Sequence, residues 1–459
     1  MKKHLFYLCL FGLSAFVCSC TNAVEEAEQL RSEYKYAEAV ELYQKAADDG
    51  DAYAMWRLAN AYRSGRGVEF NQEKALELLT KAADAGCEEA IVDLGRAYIK
   101  GELNAPVDTI KGVEMIKKIV TDTKNPYVLV NYSQCLFRGI GQYIEHDEEK
   151  ALEVLKNIPN KEDPFYLLNM GYIYIEGFKG IEPDGAKSIE LLEKAYQKGE
   201  GEATGAIGWT YLNGKGVETN IPKGIEWLQK GVKIGESGSM YLLAMVYSSD
   251  DPNLQKYHNP QEALSLLEKS ASIGNSDACI ALATWYDSGT NVNKDHQKAF
   301  GFFQLADKYG NAEGTRNLAI CYKNGEGCEK DLVMAEKLYI KAADKGNVSA
   351  CIGLIRNYGD GVFMWNEANY KKYLEKAASL GSDLAIYDLG MNHYHGRYGY
   401  SKDEYLAFLY IKKGADKESD LCCEMLAIFY KHGIGCSKDM AKSKEYERKS
   451  KELRTQSKN

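Results

Sequence analysis

Proline is scarce in this 459-residue chain, with only 8. Proline removes a backbone donor and breaks helix interiors, so its rarity leaves long stretches free to be helical. No segment approaches the roughly 20 consecutive apolar residues that a membrane-spanning helix needs. Basic excess is also missing: the net charge is −9, and −11 without the leader that holds Lys2 and Lys3. So acidic a balance disfavours nucleic acid or an anionic membrane face as general partners. Cysteine is present, but no short Cys-Cys spacing recurs. The nine cysteines beyond Cys20 are odd in number and cannot all pair within one chain. Cys279, Cys351 and Cys423 share a repeat position, as Cys328 and Cys436 share that of Val68 and Val217, and these positions ask for a small hydrophobe.

What is present is a period. Leu58, Leu94, Tyr132, Met170, Ile207, Leu243, Leu282, Leu318, Leu354, Leu389 and Leu426 follow one another at 35 to 39 residues. Four residues after the anchor stands Tyr in nine of eleven windows, and seven after it stands Gly in ten. A fixed period of this size marks a solenoid, in which each unit buries its apolar face only against its neighbours. Residues 51 to 86 show how one unit is built. Asp51 can cap a first helix whose Ala54, Leu58, Ala59 and Tyr62 share a face. Gly65-Arg66-Gly67 ends it, and a second helix follows with Ala75, Leu78, Leu79, Ala82 and Ala83 as its apolar stripe. Stacked antiparallel pairs predict an all-α, right-handed α/α superhelical solenoid of about eleven two-helix repeats. The anchor, the Ala and the Tyr are expected to point into the core.

The pattern Ala-x-x-x-Leu-Gly/Ala-x-x-Tyr-x-x-Gly-x-Gly-Val, then Lys-Ala-x-x-x-x-x-Lys-Ala-Ala-x-x-Gly, resembles the Sel1-like repeat, a relative of the tetratricopeptide repeat. Residues 54 to 86 carry it nearly in full, as do 313 to 346 with Cys328 in the Val position. Units three and four lose Leu at the anchor, unit six has Asp250 for the loop Gly, and unit ten has His393 for Tyr. The resemblance implies a non-enzymatic scaffold or adaptor in protein complexes, often in secreted or envelope-associated bacterial proteins, and it implies no cofactor.

The start of the chain reads as a leader: Lys2-Lys3-His4, then an apolar run from Leu5 to Val17. Val17-Cys18-Ser19-Cys20 is similar to a bacterial lipobox, with Cys20 as the lipidated first mature residue and Thr21 favouring the outer membrane. The alternative is ordinary cleavage after Ser19, giving a soluble secreted or periplasmic protein. The expected layout is therefore a lipoprotein signal peptide at 1–19, then anchor, linker and N-terminal capping half-repeat at 20–50. The solenoid follows at 51–436 and a polar capping helix at 437–459.

No nucleophile elbow, dinucleotide fingerprint or zincin helix occurs, and residues 208–216 lack the spacing and the final Ser/Thr of a phosphate loop. His393 and His395 stand two apart on a helix, roughly 200° around its axis, which disfavours a shared metal. His393 is expected simply to replace the packing Tyr. Binding is instead expected on the stripe one before, two after and six after each anchor, which lines the concave groove in tetratricopeptide-like superhelices. Units one to four place Arg57/Asn60, Asp93/Arg96, Asn131/Gln134 and Asn169/Tyr172 there, and units five and six place Ala206/Trp209 and Leu242/Met245. Arg and Asn could bond the carboxylates or backbone of an extended peptide, and Trp209 with Met245 could accept an apolar side chain. The alternative is a solvated helix face with Trp209 packed on an adjacent helix. The functional expectation is a scaffold at the bacterial cell envelope that binds protein or peptide partners, touching membrane only through its anchor. A structural envelope spacer and a small-ligand or peptidoglycan-associated protein are the other readings. Metabolic labelling with a fatty acid should mark the wild-type chain and not Cys20→Ser, and the variant should leave the membrane fraction.

Overall fold

The computed structural model describes residues 23–456 apart from Gln142 and Lys179. The expected signal peptide and Cys20 lie outside the described residues. Among the described residues there are helices and two isolated bridges, Ile140 with Ile144 and Phe178 with Ile181. Helical residues 23–32 and the helix Tyr36–Asp48 come first. Eleven helix pairs follow, from Ala52–Ser64 with Gln72–Asp84 to Asp420–His432 with Met440–Gln456. The fold is the all-α superhelical solenoid that the period predicts.

One local arrangement recurs from pair to pair. In seven of the eleven pairs the first helix ends on a glycine in the left-handed region, as at Gly65 with φ 65°, a conformation that costs a residue with Cβ. The chain then reaches an Asn or Asp whose side chain caps the second helix, accepting the amide three residues on. Asn71 takes Lys74 N, Asp108 takes Lys111 N, Asp184 takes Lys187 N and Asp331 takes Met334 N. The backbone N–H of the same capping residue donates back to the carbonyl at the Tyr position of the first helix. Asn71 bonds Tyr62 O at 3.0 Å, Asp108 bonds Tyr98 O at 2.8 Å and Asp331 bonds Tyr322 O at 2.8 Å. The link survives where the side chain changes, from Asp147 to Leu136 O and from Asp403 to His393 O.

Ten of the eleven anchors are buried, Tyr132 being the half-buried exception. The Tyr position departs from its expected core placement. Tyr62, Tyr98, Tyr174, Tyr211, Tyr247 and Tyr322 are only half-buried, while Tyr286, Tyr358 and Tyr430 are buried. A phenol hydroxyl needs a polar partner, so the ring stays at the edge of the core and a second-helix lysine covers it. Lys74 lies 4.5 Å from the Tyr62 ring centroid and donates to its hydroxyl at 2.6 Å, and Lys111 does the same at Tyr98 at 4.0 and 2.9 Å. Elsewhere small residues let helices touch: a Cβ on Gly95 would stand 2.8 Å from Gly112 O.

The described helices form two compact units. One runs to Asp295 and includes Lys308–Gly310; the other holds His296–Asp307 and the chain from Asn311. In the second unit Ala407, Ile411, Cys422, Cys423, Leu426 and Phe429 are buried together, with Tyr446 and Leu453 of the last helix packed on that core. Most of the rest of that helix is polar, Met440 being exposed at its start. Also in this unit, Lys341 donates to both Asp307 carboxylate oxygens at 2.7 and 2.9 Å. The nine described cysteines are free thiols. Burial pushes Cys87 and Cys279 up to about 12, and Cys351 and Cys422 up to about 11. Asp331→Ala should cost about 1 kcal/mol in chemical denaturation, as loss of a helix N-cap does, and should speed amide exchange first at the start of Leu332–Asp344.

Candidate interaction cavities

In the first unit the winding brings the N-terminal residues against the fourth to sixth helix pairs. Arg31 Nη1 meets Glu200 Oε1 and Gly199 O, each at 3.3 Å. The Tyr34 hydroxyl donates to Tyr196 O at 2.6 Å, and the two rings stack at 5.5 Å. A Cβ on Gly199 would stand 2.6 Å from Ser32 Cα, so this glycine permits the approach. Arg66 reaches Glu202 at 3.3 Å and Glu236 at 3.7 Å. Two cavities of about 490 and 450 Å³ lie on the inner side of these contacts, and Glu202 lines both.

The larger cavity contains Arg57, Asn60 and Arg96 in its lining, as the stripe predicts. Arg57, however, is already engaged. It donates to both oxygens of Glu28, at 2.6 and 2.9 Å, and lies over the rings of Trp56 at 4.6 Å and Tyr53 at 5.1 Å. Glu28 also accepts from Tyr43 at 2.5 Å and from Arg31 at 3.1 Å. Burial raises the pKa of Glu28, but Arg57, Arg31 and the Tyr43 hydroxyl outweigh it, so its carboxyl sits below the usual 4.5. The expected role of Arg57 as a ligand's carboxylate partner is thus corrected: its fork holds the N-terminal cap.

The next stripe positions turn inward. Asp93 is 2% exposed and accepts Trp56 Nε1–H at 2.9 Å and the Tyr127 hydroxyl at 2.6 Å. Arg63 and Arg96 approach it at 3.8 Å. Arg96 donates to Asn131 Oδ1 at 2.9 Å, and Gln134 donates to Asn169 Oδ1 at 2.8 Å. Asn131 and Asn169 are buried and donate back to the carbonyls of Tyr127 and Phe165. Asp93, Asn131 and Asn169 therefore stitch successive first helices together and are buried, away from an approaching peptide.

The smaller cavity holds Tyr172 and Trp209, again as the stripe predicts. Tyr172 is 41% exposed and Trp209 half-buried. Leu242, not Met245, supplies the sixth pair's apolar wall; Met245 is half-buried outside the lining. They stand three positions apart on one helix, and Leu242 is the one that lines the cavity. Glu176, Glu202 and Glu236 stand around the cavity. Away from these cavities His393 does occupy the packing position, 4.9 Å from the Tyr400 ring and 5.8 Å from that of Tyr410.

Sequence reading missed Glu28, Arg31, Arg63, Arg66, Glu202 and Glu236. A signal did exist: five of the eleven arginines fall between residues 31 and 96. Their acidic partners are scattered over 200 residues, and no repeat position connects them.

Fold and repeat pattern together define a helical-repeat protein. The chain belongs to the Sel1 repeat family. The family's profile matches residues 33–51, 52–87, 88–119, 126–153, 164–200, 202–235, 237–275, 276–306, 312–347, 371–382, 383–419 and 421–453. Sel1 repeat proteins are generally protein-interaction scaffolds without catalytic activity. No curated protein matches the chain. Among solved structures it is similar to c5321, a protective antigen of uropathogenic Escherichia coli strains with the same repeat fold. That match has 24% identity over 91% of this chain and 89% of that one, with a TM-score of 0.44. A Sel1 repeat protein from Oxalobacter formigenes aligns at 22% identity over 54% of this chain and 96% of its own, TM-score 0.39. Yeast Tom70 aligns at 13% identity over 96% of each chain, TM-score 0.41.

The lowered pKa of Glu28 fixes the sign of a pH effect. Its contribution to stability is complete above the unfolded value near 4.5 and is lost as pH falls through the lower folded value. Glu28→Gln should cost about 2 to 3 kcal/mol at pH 7, since it strands Arg57, and should flatten the acid limb of the thermal melting profile. A melting profile unchanged by the substitution at every pH would contradict the role assigned to Glu28.

Proposed function

We propose that this chain is a non-enzymatic scaffold held at the bacterial cell envelope by lipid on Cys20, and that it takes a segment of a protein partner into the interior cavities of its first unit. The observation that carries this reading is the pair of adjoining cavities sharing Glu202, one of which leaves Tyr172 and Trp209 accessible. Tyr172 is exposed and Trp209 half-buried in this recess, and aromatic anchors of this kind dominate binding energy at interfaces. The surrounding arginines preform the recess rather than contact the partner. A preformed recess spends little conformational entropy on binding.

The test is crosslinked co-purification from native envelopes with the wild-type chain and a Tyr172→Ala, Trp209→Ala double variant. Both substitutions lie outside the anchor positions, and circular dichroism checks the fold. A partner held by the wild type should be lost with the folded variant. Recovery of the same partners with both chains would move the binding surface away from the cavities.

A further inference from the structure

The two cavities differ in what they can offer a ligand's charge. Around the larger one each guanidinium already has a protein partner: Arg57 has Glu28, Arg31 has Glu28 and Glu200, Arg66 has Glu202, and Arg96 bonds Asn131 with the Asp93 carboxylate at 3.8 Å. An acidic segment would find no uncommitted guanidinium on these four residues, and Arg63 already faces the buried carboxylate of Asp93.

The smaller cavity is the reverse case. Ile175, Ala206, Trp209 and Leu242 give it an apolar lining. Gly205 and Gly238 also line it, adding no side chain to the wall. Three carboxylates surround this lining, and Arg66 alone serves two of them. Glu176 is exposed and makes no ion pair among the described residues. Glu236 accepts the amides of Gly238 and Ser239, which fixes its carboxylate at a helix start. Lys215 stands 5.8 Å from the Trp209 ring centroid. The hydroxyl of Tyr172 is pushed up by burial first and then by Glu202 and Glu236, against Arg66, which accords with negative potential where this ring lines the cavity.

We infer that the cavity formed by helices Pro164–Glu176, Ala203–Asn213 and Ser237–Tyr247 receives a partner segment in which an apolar side chain is flanked by lysine or arginine. The apolar side chain fills the space against Trp209 and Leu242, and the flanking cation meets Glu176 and Glu202. This rests on the reading of the interior cavities as the partner site and names the chemistry of the segment that enters. Partial burial strengthens such a pair relative to one on an open surface, and charge complementarity selects the partner and speeds its arrival.

The experiment measures fluorescence anisotropy of three labelled heptapeptides against the full chain. One has the order Gly-Ser-Lys-Phe-Lys-Ser-Gly, the second replaces both Lys by Glu, and the third replaces Phe by Ala. The first should bind at least about tenfold more tightly than either of the others, a difference of about 1.4 kcal/mol. Glu176→Gln, whose carboxylate braces no part of the wall, should weaken it several-fold and reduce its salt dependence, and Trp209→Ala should weaken it about tenfold. If the acidic peptide binds as well or better and Trp209→Ala still abolishes binding, the charge assignment is wrong and the cavity remains the partner site. If Phe and Ala peptides bind alike, the apolar half is overturned. If no peptide binds, or binding ignores Trp209→Ala, the inference falls, and the envelope co-purification decides separately whether the cavities bind a partner at all.

Discussion

Every helix pair depends on how its second helix begins. At nearly every turn an Asn or Asp accepts the amide three residues on with its side chain, while its own amide is held by the first helix's carbonyl at the Tyr position. Those two bonds set the start of one helix against the end of the other. The loops between can then vary in length, as the long segment from Ser248 to Asn259 does, because the amide of Asn259 still returns to Tyr247 O at 2.7 Å. The lysine three beyond the capping residue lands over the tyrosine ring as a geometric by-product of the same start.

Upon that regular frame the first unit adds contacts the repeat does not contain. Glu28 collects Arg31, Tyr43 and Arg57, and Arg31 and Arg66 reach across to Glu200, Glu202 and Glu236. Such clusters are stable only when complete, since a stranded half-buried charge is penalised. The result is a recess whose positive groups are committed to its walls and whose uncommitted charge is negative.

The fold was almost wholly legible, because Leu58, Leu94 and their successors repeat at a spacing only a stacked helical pair explains. The site was legible in part. The stripe beside the anchors does lead to Arg57, Asn60, Arg96, Tyr172 and Trp209, since helical geometry alone decides which residues share a face. It failed where chemistry decides. Asp93, Asn131 and Asn169 sit on the same stripe but bond neighbouring helices, and periodicity does not distinguish an amide that faces a cavity from one that faces a carbonyl. Glu28 lay in the half-repeat, where no register was available to flag it. Six of the nine tyrosines taken for core residues sit at its rim, because a hydroxyl favours a place where a polar partner can reach it.

The return of Arg31 to Glu200 has a consequence for how this protein can evolve. Solenoids commonly change length by duplicating or dropping a repeat, and most of them tolerate it, since each unit knows only its neighbours. Here four helix pairs separate the two residues. Copying or deleting any one of them would carry Glu200, Glu202 and Glu236 to a different azimuth, away from Arg31 and Arg66. The copy number of this stretch is therefore locked by a handful of salt links, and divergence along it must proceed by substitution alone.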